Sequence, residues 1–313
     1  MVLAALALTA GLVWSPAANA SELEETLSQV GSEYAQPYLA PFSSSYGANI
    51  NSGLYTTAYI GKSKISIEFG LKVAATNLNE SDQYFTKYVD VTLDESFGID
   101  PSDPLYGQQG VVEMAGPTVF GNTETEGTAT LYVNGIPVQS VDTIAGIWET
   151  RWVPLAIPEA SVGGIFGFRG TLRLLPEVSV GDLGKLKFYG FGISFGVNSL
   201  IETLPLDISV GYFKQKLELG SIIESDANSF YLALSKSFTM LTVYGGGAIE
   251  SSTMKVGYTF DGPDGPVPVS FEEDGIMDSR LTLGATLTFG IRLNAEVNVG
   301  KLAVYSAGLM FGF

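Results

Sequence analysis

From Ile65 onward the chain alternates. Ile65, Ile67, Phe69, Leu71 and Val73 interleave with Ser66, Glu68, Gly70, Lys72 and Ala74, an apolar face against a mostly polar one at the period of an extended strand. The period returns in Tyr189, Phe191, Ile193, Phe195 and Val197 against Gly190, Gly192, Ser194 and Gly196. Leu281, Leu283, Ala285, Leu287 and Phe289 oppose Thr282, Gly284, Thr286, Thr288 and Gly290. In a fourth copy, Ile291, Leu293, Ala295, Val297 and Val299 oppose Arg292, Asn294, Glu296 and Asn298.

Read back from the C-terminus, the pattern predicts strands near residues 302–313, 291–299, 278–289, 241–260, 227–238, 206–220, 184–198 and 164–178. Weaker candidates lie near 65–76, 83–93, 127–134 and 147–157, with 94–126 read as a long loop rich in Gly, Pro and acidic residues. A soluble sandwich also alternates, but its exposed face would be dense in Lys and Glu. Here the polar face is Gly, Ser, Thr and Asn with few charges, as expected when lipid lies outside and a wet lumen inside. The expected fold is all-β, an antiparallel transmembrane β-barrel of about 12 strands, within a range of 10 to 14, because bacterial barrels take even numbers. Tight connections at Phe289 to Ile291 and Phe238 to Leu241 are expected on the inner side and the acidic stretch Asp261 to Ile276 on the outer side. Gly300 must then be a short turn on the outer side.

The first 58 residues differ. Met1 to Val13 is an apolar run, followed by Ala18-Asn19-Ala20, a small-x-small cleavage signal ahead of Ser21, although no Lys or Arg precedes the run. Residues 1–20 are therefore expected to be a signal peptide, being too short for a spanning helix of about 20 apolar residues. In Glu22 to Tyr38, Leu23, Leu27, Val30 and Tyr34 recur at near-helical spacing and the run ends at Pro37 and Pro41, which predicts one short helix. Residues 21–58 are expected to form a periplasmic or lumen-plugging segment and 59–313 the barrel.

Composition narrows the chemistry. Mean hydropathy is +0.24, yet no 18-residue apolar run follows residue 20, so the apolarity is dispersed among strands. Cysteine and histidine are both absent, which removes thiolate chemistry, Ser/His/Asp triads and His-based zinc sites. The chain is not expected to be an enzyme, and no cofactor or metal is expected. A net charge of −17 would repel phosphate backbones, so nucleic acid is not an expected partner. The acidic clusters at Asp100 to Asp103, Asp261 to Asp264 and Glu272 to Asp274 lack the spacing of a calcium loop and read as solvated loops.

Two sets of residues stand out. The last strand, KLAVYSAGLMFGF, puts Tyr305, Leu309, Phe311 and Phe313 on one face with an aromatic at the end. It resembles the signal that the outer-membrane assembly machinery recognises, which makes that machinery and outer-membrane lipid the expected partners. Arg169 and Arg173 share a strand face, as do Arg292 and Glu296, and these four are the expected lumen charges. Tyr189, Tyr212, Tyr231, Tyr244, Tyr258 and Tyr305 are candidates for interfacial girdles, with ordinary packing as the alternative.

PYLAPFSSSYGANINSGLYTTA (37–58), PLAIPEASVGGIFGFRGTLRLLP (154–176) and LTVYGGGAIESST (241–253) resemble segments of an uncharacterised Gram-negative outer-membrane family. That family is distantly similar to the fatty-acid and hydrocarbon transporter barrels. The resemblance implies passive or gated passage of small hydrophobic molecules, with the N-terminal segment as gate. The alternative is a structural or surface-interaction barrel with a closed lumen and acidic outer loops.

Overall fold

The computed structural model describes residue 23 and residues 26–95, 99–179, 185–201, 204–262 and 265–312. The expected leader, Asp264 and Phe313 lie outside the described residues. A helix, α1 (Ser32–Ile50), precedes β1 (Ser66–Asn77). Four strands follow: β2 (Tyr84–Thr92), β3 (Gln109–Pro117), β4 (Thr128–Val133) and β5 (Ile136–Asp142). Next come β6 (Trp152–Ile165), β7 (Phe168–Ser179), β8 (Lys185–Gly196), β9 (Asp207–Leu219) and β10 (Ile223–Ser237). The chain ends with β11 (Leu241–Gly262), β12 (Gly265–Asp274), β13 (Ser279–Thr288), β14 (Arg292–Val299) and β15 (Ala303–Gly312).

Ten strands close a barrel. They neighbour in the order β10, β9, β8, β7, β6, β1, β15, β14, β13, β11, and β10 pairs back onto β11, every pair antiparallel. β12 is an extra strand that pairs only with the far half of β11, Thr253 to Gly262. β2 to β5 form a separate four-stranded sheet inserted between β1 and β6. The count lies within the expected range, but its make-up differs from the sequence reading. The strands expected near 83–93 and 127–134 are β2 and β4 of the inserted sheet, because alternation marks a half-buried strand without saying which partner it finds. Residues 94–126 are not all loop, since they contain β3, whose VVEMA run alternates too weakly to be read. Asp261 to Ile276 is likewise mostly strand, folded back as β12 on β11.

The two barrel ends are unlike. β1 starts and β15 finishes at one end, with Glu68 opposite Gly312. That terminal end carries the turns at Phe166–Gly167, at Phe238–Leu241 (Phe238 N–H to Leu241 O, 2.7 Å) and at Phe289–Ile291 (3.0 Å). The opposite, insertion end carries the inserted sheet, the β11–β12 hairpin and the turns at Gly220 and Gly300. Gly300 forms the short turn anticipated, its N–H donating to Leu302 O at 3.1 Å.

Polarity is inverted relative to a water-soluble barrel. Leu281 and Leu283 on the outer wall are 71% and 63% exposed, while Thr282 between them is 8% exposed. The same phase exposes Ile65, Ile67, Phe69, Phe191, Ile193, Leu232, Leu287 and Leu293 and buries Glu68, Lys72, Ser194, Asn294 and Glu296. An apolar belt of that extent far exceeds the few hundred Å² that soluble monomers leave bare, and it is the surface a lipid-facing barrel requires. None of the described helices is long and apolar enough to cross a membrane.

α1 fills the lumen and runs farther than expected, passing through both prolines. A proline inside a helix deprives the carbonyl four residues earlier of its N–H partner. For Pro37 that carbonyl belongs to Glu33, and Lys87 Nζ of β2 donates to it at 3.1 Å while pairing with the Glu33 carboxylate at 2.6 Å. A tertiary contact thus supplies what Pro37 removes. Tyr34, Tyr38, Leu39, Phe42 and Tyr46 are buried, against Phe85 of β2, Phe120 and Trp148 of the insertion and Val153, Leu155 and Ile157 of β6.

Candidate functional site: the plugged lumen

The chain threads the barrel from end to end. At the insertion end Ser28 O accepts from Asp261 N–H at 2.7 Å, and Val30 O accepts from the Tyr258 hydroxyl at 2.9 Å. That hydroxyl, beyond the barrel on the β11–β12 hairpin, is pushed up to about 12 by burial. Past α1 the segment descends: Thr56 O accepts from Thr286 Oγ1 at 2.8 Å, Ala58 N–H donates to Ser235 Oγ at 2.9 Å, and Lys62 O accepts from Phe166 N–H at the terminal end.

A helix leaves its last carbonyls unpartnered and its C-terminus partly negative. Two buried arginines meet that end. Arg173 of β7 donates from Nη1 to Ile50 O at 2.8 Å and from Nη2 to Ser52 O at 2.9 Å. Arg280 of β13 donates from Nη2 to Ala48 O at 2.9 Å and from Nη1 to Ser52 Oγ at 2.5 Å. Gln215 Nε2 adds bonds to Ile50 O and Asn51 Oδ1. Each arginine has its own carboxylate: Glu250 binds Arg280 through both oxygens at 2.5 and 2.6 Å, and Glu159 lies 3.2 Å from Arg173 Nε. The Glu159 contact is an ion pair without hydrogen-bond geometry, since neither atom has a hydrogen-bond partner.

A third carboxylate, Glu296, accepts from Gly53 N–H, the Tyr244 hydroxyl and Asn298 Nδ2, each at 2.9 Å. Glu68, nearer the terminal end, lies between Arg169 at 3.5 Å and Arg292, and Lys72 Nζ donates to Asn294 Oδ1 at 3.1 Å. Five cations (Lys72, Arg169, Arg173, Arg280, Arg292) thus face four carboxylates (Glu68, Glu159, Glu250, Glu296) and the negative end of the helix, a set close to balance.

Inward glycines make this network possible. Tyr244 on β11 crosses Gly284 on β13 to reach Glu296 on β14; Gly284 is the register partner of both. Gln215 crosses Gly190 to Arg173, and Lys72 crosses Gly308 to Asn294, in the same three-strand manner. Tyr231 lies over Gly211. Cβ atoms built at these glycines would fall 2.4 to 2.7 Å from the crossing side chains.

Arg169, Arg173, Arg292 and Glu296 all lie on the lumen side, and the plug brings Arg173 and Glu296 to the segment Ile50–Gly53. Sequence reasoning missed Glu159, Glu250 and Arg280 as charged partners. Arg280 continues the phase of Thr282 and Gly284 by one step, which is the signal that could have found it. Three of the girdle candidates take the packing alternative: Tyr231, Tyr244 and Tyr258 are buried, with Tyr231 tilted against Tyr55 at 4.7 Å and Tyr244 edge-on to it at 5.7 Å. They occupy the buried phase of their strands, and the hydroxyls of Tyr244 and Tyr258 donate to the Glu296 carboxylate and Val30 O. Tyr189, Tyr212 and Tyr305 face outward. Of the C-terminal set, Tyr305 and Leu309 face outward and Phe311 stacks on Phe69 at 5.6 Å.

A family model matches this sequence over residues 1–313. The chain belongs to DUF6588, a family of unknown function. No curated protein matches it. Among solved structures it is similar to OmpT, an outer membrane protein of Vibrio cholerae, at 14% identity and a TM-score of 0.26, covering 81% of this chain and 99% of that one. The translocator domain of the autotransporter NalP from Neisseria meningitidis is 11% identical at a TM-score of 0.26, with 91% and 99% covered. An anion-selective porin from Comamonas acidovorans is 13% identical at 0.19, with 80% and 99% covered.

Proposed function

We propose that this protein is an outer-membrane barrel held closed by its own N-terminal segment, which presents the inserted sheet outside the cell as a surface for interaction. The observation that carries this reading is the clamp of Arg173 and Arg280 on the C-terminal end of α1. Withdrawing α1 would break the four hydrogen bonds that the two buried arginines donate to Ala48, Ile50 and Ser52, and a hydrogen bond to a charged group is worth about 1.5–3 kcal/mol. Orientation follows from the asymmetry of the ends, with the inserted sheet and the β11–β12 hairpin facing outward and the end whose longest connection is residues 197–206 facing the periplasm.

Gated passage of small hydrophobic molecules is the second reading. One observation favours it: the upper lumen is an apolar collar, with Leu155, Ile157, Phe188 and Leu217 packed around Leu39 and Phe42. A displaced plug would expose that collar.

Planar bilayers separate the two. The closed reading expects no conductance from the wild type and stepwise conductance from an Arg173→Ala/Arg280→Ala double variant. Steady wild-type conductance or flux of fatty acids and aromatic hydrocarbons would overturn it in favour of passage.

A further inference from the structure

The inserted sheet has two unlike faces. One carries Phe85 and Met114 and packs toward the plug core. The other is open to solvent and sets tyrosine rings beside carboxylates, and between β2, β3 and β4 it forms a recess of about 570 Å³. The floor is Val111, whose register partners are Asp90 on β2 and Tyr132 on β4. Tyr88 and Glu113 face each other one step along the same face. From strand spacing and rise, Tyr88 and Tyr132 stand about 12 Å apart on a diagonal that crosses β3 between Glu113 and Val111, with Asp90 to one side of it. At the rim Asn134 and Gly135 both have positive φ (53° and 77°), the Asn-Gly two-residue hairpin turn that fixes where the Asn134 amide stands.

We propose that this recess binds a neutral saccharide of two or more pyranose rings. The tyrosines and Val111 offer flat apolar surface for the aliphatic face of a sugar ring. Asp90 and Glu113 have no partner among the described residues and are free to accept hydroxyl hydrogen bonds, and the Asn134 amide offers both donor and acceptor. Residues 84–142 hold nine acidic side chains and one basic one, Lys87, which is engaged by Glu33 on the opposite face. That balance rejects phosphorylated or sulphated glycans. The volume falls within the roughly 300–1,000 Å³ of ligand sites. A simple cation would satisfy the carboxylates but would leave the amide rim and the wide ring spacing unused.

The inference rests on the closed-barrel reading only for placing the sheet outside the cell. Its test uses the full chain, solubilised in a detergent without a sugar headgroup and titrated calorimetrically with maltotriose, cellotriose and tri-N-acetylchitotriose, with a heparin fragment and spermidine as comparisons. At least one neutral trisaccharide should bind saturably. Tyr88→Ala and Tyr132→Ala should each weaken it tenfold or more, and Tyr88→Phe, which keeps the ring, should stay within about twofold. Absence of binding by all three sugars, sugar binding indifferent to both alanine variants, or displacement of the sugar by spermidine or heparin would overturn the proposal. Bilayer conductance is read separately, so a silent wild-type barrel that ignores all three sugars leaves the closed-barrel reading standing and rejects this one alone.

Discussion

Tyr244 reaches its acceptor Glu296 only by lying across Gly284. A methyl group on Gly284 would sit 2.4 Å from the ring, so Gly284→Ala must push the tyrosine aside and leave a buried carboxylate short of a donor. Overpacking and the lost bond each cost about 1–3 kcal/mol. Tyr244→Phe should lose only the bond. Because both changes act on one contact, the double variant should cost clearly less than the sum, as measured by urea unfolding in lipid vesicles. Additive costs would show that the crossing is incidental.

Lys87 is expected to be coupled to Pro37. Its ammonium occupies the Glu33 carbonyl that the proline leaves open, and the ion pair beside it is partly exposed. Lys87→Met should therefore cost about 1 kcal/mol. In a Pro37→Ala background the carbonyl regains its helix partner, and the same substitution should cost measurably less. Identical costs in both backgrounds would mean that the lysine is not compensating for the proline.

Much of this fold is legible in the sequence, for a physical reason that also sets the limit. A barrel strand touches lipid on one face and the lumen on the other, so alternation reports burial directly, down to the phase of Thr282 and Asn294; β6 is read only in part, because its apolar Val153, Leu155 and Ile157 face the plug instead of lipid. What alternation does not report is partnership. β2 and β4 alternate as well as the barrel strands do, and only their pairing with β3 takes them out of the wall. The site shows the same division. The phase places Arg173 and Glu296 inside, but their partners Ile50 and Gly53 lie more than a hundred residues away, at and just past the end of a helix whose prolines argue against its length.

The threading predicts where single cysteines can be reached. The chain has no native cysteine, so labelling has no background. Ser102→Cys in the insertion and Gly31→Cys at the start of α1, where no atom lies within 4 Å of an added Cβ, should both react with an impermeant maleimide on intact cells. Met240→Cys, in a turn at the terminal end, should react only after the envelope is opened. A reversed pattern would invert the orientation. Reaction at Ser102→Cys and Met240→Cys as expected, with Gly31→Cys protected, would mean that the N-terminal segment does not emerge at the insertion end.

The two walls of β13 should respond to arginine for different reasons. Ala285 faces outward and Thr286 inward, one residue apart near the middle of the strand. Ala285→Arg puts a charge against the bilayer core at a cost of about 2–4 kcal/mol. Thr286→Arg would be nearly free in a water-filled lumen, but here the Thr286 hydroxyl donates to Thr56 O and its surroundings are packed, so the larger side chain must displace the plug. Both variants should then be destabilised in equilibrium unfolding in vesicles. Deleting residues 32–58 separates the causes: without the plug, Thr286→Arg should become close to neutral while Ala285→Arg keeps its full cost. If Thr286→Arg stays as costly in the plugless barrel, its side chain is not held by the plug, and the lumen is closed by the wall itself.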